Sequence, residues 1–590
     1  MDPTTFYKQH LDKYQLEEKR LGKLMLTYSM LRLFVFAVTG FGLYIFFSSW
    51  KLVVFIGLIG IVSFLYLLSK YTDLKKQKAF KKELAVINKE ELDIELGNFY
   101  DRDSGLSFQD SNHFYSLDID LFGRGSFFQC INRTTINEGT LKLAEYLKAN
   151  NIHDIVSRQD AIKELCLKPQ WRQYYIATSK LVEVETPANQ IIGWLSEHKS
   201  FLPKKLMAWL PQVFSLLSLT ILMLTYFNAI TYQAIIGYWL VLGLGISGLY
   251  LKKINVLAAN TSKVKDTFRQ YAELLDLIEN ENFTSSLLVK KQKEIQAENE
   301  KASHVFKTFS KYLDALDNRN NLIGAIFGNG LFLTDLKNAY QIERWIESYH
   351  KKVADWFEVV SFFDAFNSLG NYAFNKPEFT YPKIIETGAV IDARDLGHPL
   401  LDKNKRIDSD LTINGEQFFI VTGANMAGKS TFLRTVSLHI VMANMGLPVC
   451  ASSSIYKPIK LITSMRTSDS LADDSSYFFS ELTRLKYIVD AIQKDTYFIV
   501  LDEILKGTNS KDKAIGSKKF VERLVASKAT GIIATHDLSL CEIEAMLDVV
   551  KNYYFDAEIV NEELHFDYML KTGICKNMNA SFLLKKMNIV

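Results

Sequence analysis

The sequence predicts three regimes in one chain: an α/β domain at the C-terminal end, an all-α region before it, and four apolar helices arranged as two hairpins. Three observations carry this. Residues 421–434 read VTGANMAGKSTFLR, a glycine-rich loop between a strand and a helix. Leu33–Trp50 and Leu52–Ser69 are uncharged runs separated only by Lys51, and Leu206–Leu251 is uncharged throughout. Between 255 and 360 the apolar residues recur at helical spacing, as in Phe306, Phe309, Leu313 and Leu316, then Trp345, Tyr349 and Trp356. That aromatic stripe reads as helix packing rather than as a base-stacking platform, and Lys290–Lys301 reads as a solvated helix face.

At 590 residues the chain is long enough for several domains. Its formal net charge of +3 gives no global electrostatic case for nucleic acid and leaves room only for a local basic face. An aromatic content of 13%, with 40 Phe, fits a partly lipid-facing protein. The five cysteines, Cys130, Cys166, Cys450, Cys541 and Cys575, have neither metal-ligand nor redox spacing, so they read as reduced thiols in a cytosolic setting.

Each run in the first apolar pair covers roughly 27 Å as a helix, close to the hydrocarbon thickness of a bilayer. Ser48–Lys51 is a tight connection, so the pair reads as a transmembrane hairpin. The second apolar region holds two more spans turning near Asn228–Gln233, with Pro211 in the first turn of the third, where a missing N–H costs little. Lys19, Arg20, Lys23 and Arg32 precede the first span, and Lys70, Lys75 and Lys76 follow the second. Lys204 and Lys205 precede the third, and Lys252 and Lys253 follow the fourth. This bias places both termini and the soluble regions in the cytoplasm, as a multi-pass membrane protein. The spans carry no Asp, Glu, Lys, Arg or His, so no ion path is marked.

Gly423, Ala424, Asn425, Met426, Ala427, Gly428, Lys429 and Ser430 fit the phosphate-loop pattern, with Thr431 continuing into the helix. Backbone N–H groups in such a loop curl around phosphate oxygens at a helix N-terminus. Lys429 is expected on the β- and γ-phosphates of ATP and Ser430 on Mg²⁺. Tyr497–Glu503 is an apolar strand ending in two carboxylates: Asp502 is expected to hold Mg²⁺ through water, and Glu503 to orient or deprotonate the attacking water. Thr530–Asp537 is a third strand ending near His536, placed to sense the γ-phosphate.

Together TGANMAGKSTFLR, VLDEILKGTNSKDK and ATHD resemble the ATPase domain of the MutS family, the DNA mismatch-repair ATPases within the wider ABC class. The stretch Ser475–Glu481 resembles that family's signature segment, in which a serine reaches across a homodimer to the partner's ATP. The resemblance puts that role on Ser476, although Asp473–Ser475 stands where the family has a glycine. DLGHPLL at 395–401 resembles the entry to the ATPase domain, residues 126–165 its core, and FFDAFNSLGNYA the end of its lever helices. The implied fold is an α/β P-loop ATPase domain of ABC/MutS type, an all-α core and lever region, and four transmembrane helices.

The expected organisation is an N-terminal cytoplasmic helix (1–30), a transmembrane hairpin (31–69), a core-like region (70–205), a second hairpin (206–251), a lever-like region (252–388) and the ATPase domain (389–590). No mismatch-reading domain, separate clamp or C-terminal helix-turn-helix is expected. The leading functional expectation is a membrane-anchored, Mg²⁺-dependent ATPase with a composite dimeric site that drives lever and clamp movements, with the bilayer and double-stranded DNA as further partners. The alternatives are a nucleotide-switched membrane scaffold without DNA binding and an ABC-type transporter.

Overall fold

The computed structural model describes residues 2–182, 186–227, 234–297, 300–317, 319, 322–424, 426–466, 477–560 and 563–575. The chain opens with two long helices, α1 (Pro3–Ile45) and α2 (Trp50–Glu95), which pack against each other as a hairpin. Asp2 caps α1 by accepting from Thr5 N–H. Gly60 lets the helices close, because a Cβ there would stand 2.4 Å from Thr39. Near the turn the helix surfaces are apolar and exposed, with Phe34, Phe36, Phe41, Leu58, Ile61 and Leu65 all outward.

A bundle of short helices follows: α3 (Phe127–Ile131), α4 (Asn137–Lys148), α5 (Ile155–Cys166), α6 (Pro169–Lys180) and α7 (Ala188–Glu197). Next come α8 (Lys204–Met207), α9 (Leu210–Tyr226), α10 (Ala234–Gly248) and α11 (Leu251–Glu279). Pro211 sits in the first turn of α9, as its missing donor permits. Then come α12 (Ser286–Ile295), a small antiparallel pair β1 (Gln296–Ala297) and β2 (Glu300–Lys301), α13 (Ala302–Asp317), α14 (Leu322–Phe332) and the 42-residue α15 (Thr334–Asn375).

The aromatic stripe of 306–356 is core: Phe306, Phe309, Trp345 and Trp356 are buried, and Phe309 stacks on Trp345 with ring centroids 3.7 Å apart. Lys290–Lys301 is not one helix face. The helix stops at Ile295, which is buried, and Gln296 donates to the Glu279 carbonyl, which turns the chain into the β1–β2 pair.

Among the described residues, three helical stretches, Pro3–Ile45, Trp50–Glu95 and Lys204–Tyr226, are long and apolar enough to cross a membrane. A fourth possibility is broken: Ala234–Gly248 and Leu251–Glu279 meet at a bend of 67°. From the sequence, 206–251 is expected to hold two spans turning near 228–233. The bend follows Gly243, Gly245 and Gly248, which weaken helical continuity. The turn at 228–233 lies outside the described residues.

The C-terminal domain has two sheets. The smaller holds β3 (Lys383–Ile384), β4 (Ala389–Leu396), β5 (Ser409–Asn414) and β7 (Ser453–Tyr456) in the order β3-β7-β4-β5. The larger holds β6 (Phe418–Gly423), β8 (Lys460–Ser464), β9 (Tyr497–Asp502), β10 (Thr530–Ala534), β11 (Val550–Phe555) and β14 (Lys571–Thr572), in the order β14-β11-β6-β10-β9-β8. β12 (Ala557–Val560) pairs with β13 (Glu563–Phe566) in a separate two-stranded sheet. The strands of the large sheet are parallel except β14. Helices α16 (Lys429–Met445), α17 (Tyr477–Ile492) and α18 (Ser510–Ala526) connect its strands. β6 and β10 are buried along their whole length, which explains their unbroken apolar reading.

Candidate nucleotide site

The site forms where the parallel strands end. β6 delivers the loop, and its neighbour β10 is paired in turn with β9, so three strand ends converge at one edge. Gly423 ends β6 with φ +150°, and a Cβ there would stand 2.7 Å from the Phe555 carbonyl oxygen. Gly428 caps α16 with φ +102°, a left-handed conformation that costs glycine little. The first-turn N–H groups of α16 have no intrahelical acceptors and point towards the loop.

Inside the loop, Lys429 Nζ donates to the carbonyls of Gly423 at 2.9 Å and Ala424 at 3.0 Å, and lies 3.1 Å from His536 Nε2. Burial holds the Lys429 ammonium below its ordinary pKa, with Asp502 and Glu503 opposing. Ser430 Oγ donates to Asp502 Oδ2 at 2.6 Å. Glu503 adopts φ +50°, and its N–H donates to the Ala534 carbonyl at 2.9 Å, a bond that holds the residue at the strand edge. Its carboxylate stands 3.3 Å from His536 Nε2. Burial, and then the Lys429 charge, hold His536 below its ordinary pKa, so a neutral imidazole faces the carboxylate and the ammonium.

The structure therefore brings Lys429, Ser430, Asp502, Glu503 and His536 to one place. Ala424, Met426, Gly428 and Thr431 line the same cavity of about 580 Å³, whereas Ala427 is buried behind it. Asn425 and Ser476 lie outside the described residues. The hydroxyl of Ser430 beside the Asp502 carboxylate is a hard-oxygen pair that suits Mg²⁺ shared with phosphate oxygens. Among the described residues no cluster of three or more His, Cys, Asp or Glu could hold a metal ion.

Several contributors escape a sequence reading. Phe555 and Tyr568 line the cavity from β11 and the segment after β13, and a Cβ on Gly428 would stand 3.1 Å from the Tyr568 ring. His398, inside DLGHPLL, also lines it, and burial lowers its pKa to about 4. Lys506 N–H donates to the Glu481 carboxylate at 3.0 Å, which ties the first turns of α17 to the loop after β9. Asp118 accepts from Arg466 N–H at 2.8 Å and from the Thr463 hydroxyl at 2.5 Å, and Asp120 pairs with Arg466 at 2.7 Å. Arg484 donates to the Phe114 carbonyl at 2.7 Å. These bonds dock residues 113–120 against the end of β8 and against α17. Only the order Asp118-Ile-Asp120 could hint at this in the sequence, and it lacks a motif.

A parallel sheet with a phosphate loop after one strand, paired carboxylates after a second and a histidine after a third defines a P-loop ATPase domain. Residues 419–585 match the family described as MutS domain V. Over 223 residues the chain is 33% identical to MutS protein homolog 4 of Homo sapiens, covering 36% of this chain and 23% of that protein. Over 211 residues it is 33% identical to the DNA mismatch repair protein MutS of Aquifex pyrophilus, covering 34% and 23%. Over 217 residues it is 30% identical to the DNA mismatch repair protein MSH4 of Arabidopsis thaliana, covering 35% and 27%. The chain thus spans about a quarter of the length of the curated relatives it matches. The likeness to the MutS family thus rests on residues 419–585, which match its domain V.

Proposed function

We propose that the chain is a membrane-anchored ATPase of MutS type, working as a homodimer whose ATP sites are shared between protomers. The observation that carries the ATPase reading is the convergence of Lys429, Ser430, Asp502, Glu503 and His536 at one sheet edge. Lys429 exchanges its loop carbonyls for the β- and γ-phosphate oxygens and neutralises charge as the γ-phosphoryl departs. Ser430 and Asp502 would hold Mg²⁺, which would supply positive charge against the phosphates. Glu503 accepts a hydrogen bond from the attacking water and takes its proton as the bond to phosphorus forms. The neutral imidazole of His536 touches both Glu503 and Lys429 and so registers whether a γ-phosphate lies between them.

Sharing of the site rests on the resemblance of 475–481 to the family signature, and on Glu481 tying that helix to Lys506 beside the Asp502–Glu503 pair. Anchoring rests on the uncharged, outward-facing apolar surfaces of α1, α2 and α9. Basic residues flanking those helices favour cytoplasmic soluble regions. The DNA partner rests on the likeness to DNA mismatch repair proteins. The alternative, a nucleotide-switched membrane scaffold, draws support from the near-neutral charge and from the place of the apolar α9–α10 pair inside the helical region.

The full-length protein, purified and reconstituted in vesicles, should hydrolyse ATP with Mg²⁺. Lys429→Ala should weaken nucleotide binding and lower hydrolysis by ~10²-fold or more. Glu503→Gln should keep binding and slow hydrolysis by ~10²–10⁴-fold. Wild-type hydrolysis by Glu503→Gln would remove Glu503 from the role of base, and a wild-type chain that binds no ATP would overturn the reading. Salt-dependent binding to duplex DNA, or its stimulation of hydrolysis, supports the DNA partner; indifference to DNA supports the scaffold.

A further inference from the structure

We propose that α14 is a re-entrant helix, a fifth membrane-embedded element that enters and leaves the bilayer on the same side and fixes the long helix α15 in it. The proposal rests on the membrane reading of α9 and α10 above. Residues 320–334, Asn-Asn-Leu-Ile-Gly-Ala-Ile-Phe-Gly-Asn-Gly-Leu-Phe-Leu-Thr, carry no charge. The helix within them is 11 residues, about 16 Å at 1.5 Å per residue and half of what a span needs. An apolar stretch of this length is either a buried core helix or a re-entrant segment. Exposure decides between them: Ile326 and Phe327 face outward, Phe327 at 53%.

The neighbours of α14 are the apolar helices. It packs on α9 and α10, and the closest approach is backbone to backbone: a Cβ on Gly243 of α10 would stand 2.2 Å from the Gly330 carbonyl oxygen. The last carbonyls of a helix have no intrahelical donors, and hydrocarbon offers none. Here Ser218 Oγ of α9 donates to Leu331 O at 2.5 Å, and Ser215 Oγ, whose proton goes to Pro211 O at 2.6 Å, lies 3.3 Å from Phe332 O. Trp239 Nε1 of α10 in turn donates to Ser218 Oγ at 2.7 Å. Asn329, itself buried, accepts from the Asp335 N–H at 2.9 Å, which serves the opening turn of α15. The Leu331 carbonyl at the helix end is thus satisfied by a side chain of the apolar layer, as backbone at membrane depth requires.

The two ends of the segment lie together. Arg319, before α14, pairs with Asp335, after it, at 3.4 Å. Chain that entered one face of a bilayer and left by the other could not make that pair. Leu333, with φ +49°, is the single residue between α14 and α15. From there α15 runs to Asn375 beside the ATPase domain, so one rigid helix joins the proposed membrane element to the nucleotide-bearing half.

The test uses full-length protein in vesicles, spin-labelled at one introduced cysteine, with the unmodified chain as blank. Ile326→Cys and Phe327→Cys probe α14, Leu216→Cys and Leu219→Cys probe the exposed face of α9, and Leu167→Cys gives an aqueous reference. The expected result is a several-fold rise in the ratio of oxygen to water-soluble nickel collisions at α14 and α9 over Leu167. High ratios at α9 with an aqueous ratio at α14 overturn the re-entrant helix and leave the membrane reading standing. Aqueous ratios at α9 overturn the membrane reading itself. Shielding of α14 from both reagents means a second protein surface covers it, which also overturns the proposal. A second measurement labels Lys311→Cys and Lys337→Cys, one on each side of the segment, with an impermeant maleimide. Reaction from the same side of sealed vesicles is expected, and opposite sides would make α14 part of a span.

Discussion

The two ends of the α1–α2 hairpin follow opposite rules. At the turn end, large apolar side chains face outward, and among residues 33–69 the only charge is Lys51. At the base, charge is buried. Arg133, from the core-like bundle, donates to both oxygens of Glu91 near the end of α2, at 2.5 and 3.2 Å, and both side chains are almost wholly inaccessible. Burial alone would raise the Glu91 carboxyl, yet the Arg133 guanidinium holds it below its usual value. Asn375, the last residue of α15, donates to the same carboxylate at 2.8 Å, and Tyr7 of α1 donates to Asn375 at 2.6 Å. One network thus locks the start of α1, the end of α2, the bundle and the end of α15. The base is specified by a few polar contacts with no substitutes. The turn end is specified only by being apolar. That contrast is expected of a hairpin with one end in protein and the other in lipid.

The largest expected effect is at the base. Arg133→Met leaves the Glu91 carboxylate buried without its charge partner, and breaking such a pair by removing one member costs about 3–5 kcal/mol. The unfolding midpoint of the solubilised protein should fall steeply, and Glu91→Gln with Arg133→Met should recover part of the loss. An unchanged midpoint in the single variant would mean that water reaches Glu91 and that the base is no different from a surface.

The same contrast governs what could be read from the chain. The phosphate loop, the Asp502–Glu503 pair and the strands carrying them were legible because phosphate chemistry demands particular residues at fixed local spacing. Four apolar stretches were legible by length and lack of charge. Composition could not show that α10 ends in a 67° bend, because that depends on where glycines meet packing. It could not show that 322–332 joins the apolar layer, because 11 residues broken by Gly324, Gly328 and Gly330 look like any helical fragment. The docking of Asp118 and Asp120 on Arg466 links residues over 340 positions apart, and no local pattern announces it.

At the turn end the sharper test is a charge. Leu58 is 59% exposed and lies within the uncharged run of α2. In water, Leu58→Lys would be neutral or better. At the centre of a spanning helix a lysine costs about 2.5–3.5 kcal/mol on insertion scales. The variant should therefore lose resistance to alkaline carbonate extraction, whereas Leu58→Ile should not. Equal retention of both variants would place the turn end in water and erase the contrast.

The smallest effect is a slope. Asp364, in the half of α15 nearest the ATPase domain, accepts from Thr135 N–H at 2.9 Å and Ile136 N–H at 3.1 Å, at the start of α4. It is fully buried, with no cation bonded to it among the described residues, and burial pushes its carboxyl up to about 7 from an ordinary 3.8. The folded protein therefore holds this proton more tightly than the unfolded chain. Between about pH 4 and 7 the unfolded carboxyl is ionised while the folded one is still protonated, so stability falls as pH rises through that window, by at most about 1.4 kcal/mol per pH unit, and levels above it. Glu91 has the opposite sign, because its folded pKa is depressed: its contribution is lost only as pH falls below the ordinary 4.5. The two windows barely overlap, and comparison with Asp364→Asn across pH 5 to 7 cancels the other groups that titrate there, His398 among them. Asp364→Asn keeps an acceptor for the α4 N–H groups but cannot ionise. The difference in unfolding midpoint between wild type and Asp364→Asn should therefore shift steadily against the wild type across that scan. A constant difference would mean that the two capping N–H bonds outweigh burial and that Asp364 is a charged cap, which would make the core-like bundle a second site of buried ionised carboxylate alongside Glu91.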